Sequence, residues 1–169
     1  MTKTRWRSPG FDLLLLIVLL PLTIGTICAN LAFVTNQLKW KWVNPPNYHM
    51  NVIWGALPSP AIEIAVTIRQ GKIVSSTFVA CEKDQTKYPA SLCERFQKYN
   101  TDLLKTDYTV FGLFKEADCI AFLKDRNGWE CSVQYDSRYG YPTEIIYRAP
   151  LTVLDATSII VVKDFQIDE

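Results

Sequence analysis

The chain has 169 residues, with 18 Lys+Arg against 17 Asp+Glu and a formal net charge of +1. Aromatic residues at 12% and charged residues at 21% mark a chain that folds rather than a disordered one, with length for one modest domain and an appendage. From Thr35 onward 15 basic residues face 16 acidic ones, and nothing in the sequence suggests the clustered basic face that a nucleic acid requires.

Lys3, Arg5 and Arg7 precede an apolar run from Phe11 to Val34, interrupted by Asp12, Pro21 and Asn30. About 20 apolar residues span a hydrocarbon core of roughly 30 Å. The stretch "LLLLIVLL" has no polar face of the kind a soluble surface helix carries. The run therefore predicts a transmembrane signal anchor over residues 11–34. Ile27 is too large for a good lipoprotein cleavage site before Cys28, and the apolar run continues past it. A lipoprotein with Cys28 lipidated is the alternative. The basic tail, residues 1–10, stays cytoplasmic by the positive-inside rule, which puts the remainder in the periplasm or another extracytoplasmic space. Trp40 and Trp42 then fall where aromatic rings favour the membrane interface. "VNPPNYHM" reads as the end of a linker over 35–47, ahead of a domain over 48–169.

Within the domain, "YHMNVIWGA" starts a strand. "AIEIAVTIR" alternates, with Ile62, Ile64, Val66 and Ile68 on one side. Gln70-Gly71 turns it and "KIVSSTFVA" returns as a hairpin. Ser91 and Glu94 form a capping box before a short helix carrying Leu92, Phe96 and Tyr99. A second helix starts at the N-cap Thr109 and carries Val110, Leu113, Phe114, Ala117 and Ala121 on one face. Trp129, Cys131, Val133 and Tyr135 alternate as a strand, "YPTEIIYR" is its partner, and "ATSIIVVKDFQI" is a final, central strand. Strands, then helices, then strands predict an α+β fold: a small antiparallel sheet with helices packed on one face, preceded by the transmembrane helix.

Beyond the apolar run lie Cys81, Cys93, Cys119 and Cys131, an even number that suggests disulfides in an exported domain. Three pairings are possible, and Cys81–Cys93 with Cys119–Cys131 is the sequence-local choice. No Cys-x-x-Cys is present and His49 is the sole histidine, so neither a metal site, a redox centre nor a cofactor is expected.

"YDSRYGYPTEI", residues 135–145, is dense in Tyr, Gly and Pro. Asp136 and Ser137 favour turn initiation, and Gly140 can supply φ > 0. Pro142 suits a strand start. The structural reading is a hairpin; the alternative makes Arg138, Tyr139 and Tyr141 an interaction surface. This stretch, with "VTIRQGKIVSSTF", "TVFGLF" and "VVKDFQI", resembles a family of exported bacterial domains of unknown function, many of them lipoproteins, over Ala61 to Ile167. The resemblance implies a compartment and a fold and no catalytic residue.

No catalytic constellation stands out. A nucleophile with a histidine base would have to use His49, and there is no Gly-rich phosphate loop. Two functions fit: a non-catalytic interaction or accessory module on a membrane, with the bilayer and a membrane or envelope protein as partners, or an exported ligand-binding or inhibitory domain.

Overall fold

A computed structural model describes residues 30–56, 61–81, 94–95, 98, 101–150, 153 and 156–168. The apolar run lies outside these residues except for 30–34, as does Cys93. The chain divides into two units, Met1–Thr35 and Asn36–Glu169. Of the first, only residues 30–35 are described, and they are helical. Among the described residues no helix is long and apolar enough to cross a membrane.

The second unit is mostly β, which corrects the expected α+β class with its leading transmembrane helix. One six-stranded antiparallel sheet is built from β1 (Asn47–Ala56), β2 (Ile62–Arg69), β3 (Lys72–Cys81), β4 (Glu130–Tyr135), β5 (Pro142–Arg148) and β6 (Thr157–Ile167). Among the described residues, strands of up to 11 residues stand beside short helices, α2 (Val110–Glu116) and α3 (Cys119–Leu123) of 7 and 5 residues and a 3-10 helix (Thr101–Lys105), and beside the helix α1 over 30–43. The long second helix expected from Thr109 through Ala121 is broken. Thr109 caps α2 by accepting from Gly112 N, but Asp118 then caps a new helix by accepting from Ala121 N. An Asp side chain that binds the N–H three residues on starts a helix rather than continuing one.

The strand order is β3-β2-β1-β6-β5-β4: two three-stranded meanders joined through β1 and β6. The final strand is central, as its apolar run predicts. Ile62, Ile64, Val66 and Ile68 are all buried, on one face with Tyr48, Met50 and Val52 of β1. Val110, Leu113 and Phe114 of α2 are buried with them, and Phe114 stacks on Tyr135. Gln70 and Gly71 turn at φ 51° and 72°, and positive φ at both central residues matches the twist of a two-residue hairpin.

β3 is an edge strand. Its pairing with β2 skips Val74 and Val79, so each is the extra residue of a bulge, and both are exposed. Bulges twist an edge away from further pairing. Gly112 sits where a Cβ would lie 1.8 Å from Asp107 O, so α2 packs against its own approach segment only because this residue lacks a side chain.

Residues 36–43 of the expected linker are helical, and helix α1 ends where Asn44 turns to φ 27° ahead of Pro45 and Pro46. Cys119 and Cys131 are paired, tying α3 to β4 with Cα atoms 5.5 Å apart. Cys81–Cys93 falls outside the described residues because Cys93 does. The Cys119–Cys131 loop has a separation of 12 residues. Cys119→Ser with Cys131→Ser should therefore lower unfolding free energy by about 2–3 kcal/mol in urea titration. Non-reducing peptide mapping that finds both thiols free refutes the bridge.

Candidate interaction site

The hairpin between β4 and β5 is built from local hydrogen bonds. Asp136 N donates to Tyr141 O at 2.8 Å and Gly140 N donates to Asp136 O at 3.0 Å. The Asp136 carboxylate accepts from Arg138 N at 2.9 Å and also from Tyr139 N. This is the side-chain turn that Asp forms with the backbone two and three residues on. Gly140 has φ 80°, and a Cβ there would lie 2.7 Å from Asn36 O and 3.1 Å from Lys39 Cβ. Two constraints thus demand glycine: the backbone conformation and the close approach of α1. Lys39 Nζ donates to Ser137 O, fastening the helix to the turn from the other side.

One turn further, Trp40 enters the core at 1% exposure. Its indole meets Tyr48 at 5.6 Å, Phe165 at 5.9 Å and Tyr141 at 6.3 Å between ring centroids, each edge-on, a favourable arrangement for aromatic quadrupoles. Its Nε1 finds no hydrogen-bond partner among the described residues, so ring burial holds it. Trp40 is therefore not the interfacial residue its position suggests; Trp42, on the other side of α1, is 89% exposed.

The three candidate hairpin residues divide. Tyr141 is buried and stacks on Phe165 at 4.3 Å. Burial, aided by Asp136, pushes its phenol up to about 12. It is a core residue of the socket for α1. Tyr139 is half-buried beside Phe165, and Arg138 is exposed with its guanidinium 4.9 Å from the Tyr139 ring centre. These two, with Ser137, form the accessible tip. Tyr135 belongs to the core side of β4, where burial and then Asp118 push its phenol up to about 12.

The opposite face of the sheet carries polar groups engaged with one another. His49 Nδ1 lies 2.8 Å from Asp168 Oδ1, and Arg69 pairs with the other carboxylate oxygen. The Arg69 hydrogen bond, with His49 behind it, holds the Asp168 carboxyl below the usual range. Asn51 donates to Glu63 at 2.7 Å and to Asp164 at 3.2 Å. Sequence reasoning missed this network, because all its pairs but Asn51–Glu63 join β1 and β2 to residues 99 to 119 positions away. Ile53 opposes Val161, and Ile146 opposes Ile159, on the same face. Among the described residues no group of three or more His, Cys, Asp or Glu side chains could hold a metal ion.

Fold and site together define a small, mostly-β domain of one antiparallel sheet, with an N-terminal helix locked to it by a tryptophan socket. The chain belongs to the DUF6174 family, a family of unknown function, whose model matches residues 32–167. The match takes in the socket from Trp40 to Phe165. No curated protein and no solved structure matches.

Trp40→Ala should cost about 3–5 kcal/mol, because it empties a fully packed aromatic site. Gly140→Val should lower Tm through both φ strain and the clash with Asn36 O. Arg138→Ala should leave Tm unchanged. Calorimetry of the three variants checks the division, and an unperturbed Trp40→Ala refutes the socket.

Tyr135 and Tyr141 have folded-state values raised above the ordinary phenol value of 10.0. Between these values the unfolded chain loses protons that the folded chain keeps, so ν_U falls below ν_N and stability drops as pH rises. The contribution is complete below pH 10 and is lost between about pH 10 and 12. Tyr141→Phe should flatten the alkaline limb of a Tm-against-pH profile; an unchanged limb refutes the assignment.

Proposed function

We propose that this chain is an exported, membrane-attached, non-catalytic module that serves protein interaction or assembly at the cell envelope. The apolar run Phe11–Val34 with its basic flank supports the attachment and the orientation. The observation that carries the reading is that residues 36–43, which follow that run in the sequence, are helical and are built into the domain's core by Trp40 and Gly140. A domain that folds around this helix presents fixed surfaces of its own, which suits an accessory subunit.

His49 is engaged with Asp168, and Arg69, Asn51, Glu63 and Asp164 are spent on cross-strand pairs. Lipidation at Cys28 with a ligand-binding or inhibitory role is the second reading, favoured only by the placement of Cys28 within the apolar stretch.

Purification of the full chain from native membranes, followed by intact-mass analysis and identification of co-purifying chains, tests both. A chain that retains its N-terminal segment and brings down a stoichiometric membrane partner is the expected result. A mature chain starting at an acylated Cys28, monomeric and shifted in Tm by a small molecule, overturns it.

A further inference from the structure

We propose that the Cys119–Cys131 bridge is a redox-sensitive latch: a dithiol reductant opens it in the folded protein, frees α3 and uncovers the Tyr147 ring, while the sheet and its aromatic socket stay in place. The inference goes beyond the interaction reading and does not depend on it, since both cysteines lie within the second unit.

The latch is built on one cross-strand pair. Cys131 of β4 stands opposite Tyr147 of β5, and directly opposed residues share a face of the sheet. Tyr147 is buried, so this is the core face. Helix α3 meets both with residues three apart, which lie on one side of a helix: Cys119 bonds to Cys131, and the Phe122 ring stacks on Tyr147 at 4.0 Å. Among the described residues little else holds α3 down. It has 5 residues, none of them buried, and Ile120 is 50% exposed. A helix this short is not stable in isolation. Phe122 also meets Trp129 at 5.7 Å and carries the Arg126 guanidinium at 4.0 Å, but both partners belong to the Cys119–Cys131 loop itself.

Without the bridge, the aromatic pair is what joins α3 to the sheet, a contact worth about 2- to 13-fold in an equilibrium constant. A segment with so small a margin opens on its own while the rest of a protein stays folded. The rest of this domain does not lean on α3. Tyr147 Oη still donates to Glu116 O of α2, Phe114 still stacks on Tyr135, and β4 keeps its pairing with β5 from Glu130 to Tyr135. The chemistry is thiol–disulfide exchange, and both cysteines are half-buried rather than sealed. A thiolate of the reductant attacks one sulfur and expels the other cysteine. The reductant's second thiol then closes its own disulfide and expels the first. Two electrons and two protons pass to Cys119 and Cys131, and the dithiol is oxidised.

The test compares the full chain with its Cys119→Ser, Cys131→Ser double variant, both without reductant, so that the remaining cysteines are left as they are. Amide hydrogen exchange is read by mass in peptides from α3, β1 and β6. The amides of Phe122 and Lys124 donate to Asp118 O and Ile120 O and are protected while the bridge is intact. In the variant their protection should fall to about tenfold or less, while β1 and β6 keep theirs. The unsubstituted chain treated with dithiothreitol should give the same pattern, with Cys119 and Cys131 both open to alkylation in the absence of denaturant. Equal exchange at α3 with and without the bridge overturns the latch. Loss of protection in β1 and β6 together with α3, or a variant that does not fold, makes the bridge a staple of the whole domain and overturns it too. Thiols that dithiothreitol releases only in denaturing urea overturn the redox sensitivity.

Discussion

The pairing of the first strand with the last organises this domain. β1 and β6 run antiparallel from Tyr48 opposite Ile167 to Ala56 opposite Ser158, and each meander hangs from one of them. Closing a loop of this length costs only slightly more entropy than closing a short one, since the cost grows with the logarithm of length. It does delay the reward until distant segments meet, so the socket forms only once this pairing exists. Tyr48 comes from β1, Phe165 from β6 and Tyr141 from the start of the β5 arm, and Trp40 is enclosed only when all three are together.

One irregularity in that pairing decides what each face receives. Val162 points into the core, and in a regular strand residue 164 would follow it and 165 would face away. The register shifts between His49 and Asn51, and Asp164 takes φ 51°. That single extra residue reverses the parity. Phe165 then joins Trp40, while Asp164 and Asp168 fall on the opposite face beside Asn51 and His49. Without the bulge the socket would lose a wall and the polar network two carboxylates.

Much of the sheet was legible because its code is local. Period-two alternation marks β2 without ambiguity, and the central place of β6 follows from an apolar run too long for an edge. The fold class was misread because short apolar matches from Thr109 to Ala121 mimic one helix, while Asp118 resets the ladder. The bulges at Val74, Val79 and Asp164 leave no signature in residue type, since a skipped residue shows only against its partner strand. The two tryptophans of "WKW" show the same limit. Two residues apart on a helix, they point to opposite sides, about 200° apart. Which one is buried depends on where the sheet lies, and the sheet is encoded elsewhere in the chain.

The hairpin stretch now divides by what the fold demands of it. Asp136 closes the turn, Gly140 admits α1, Tyr141 walls the socket, and Pro142 is buried at the start of β5. Each is accounted for by contacts inside the domain, and none is free to act elsewhere. Arg138 is different. Its backbone is held by Asp136, and among the described residues its side chain meets the face of Tyr139, a contact worth about 0.5–1 kcal/mol at an exposed site. A lysine, glutamine or serine would serve the turn as well. A cation therefore projects from a rigid loop that is fastened to the helix two residues past the apolar run. Among the described residues the fold fixes the backbone that carries this charge and engages its guanidinium through the Tyr139 ring.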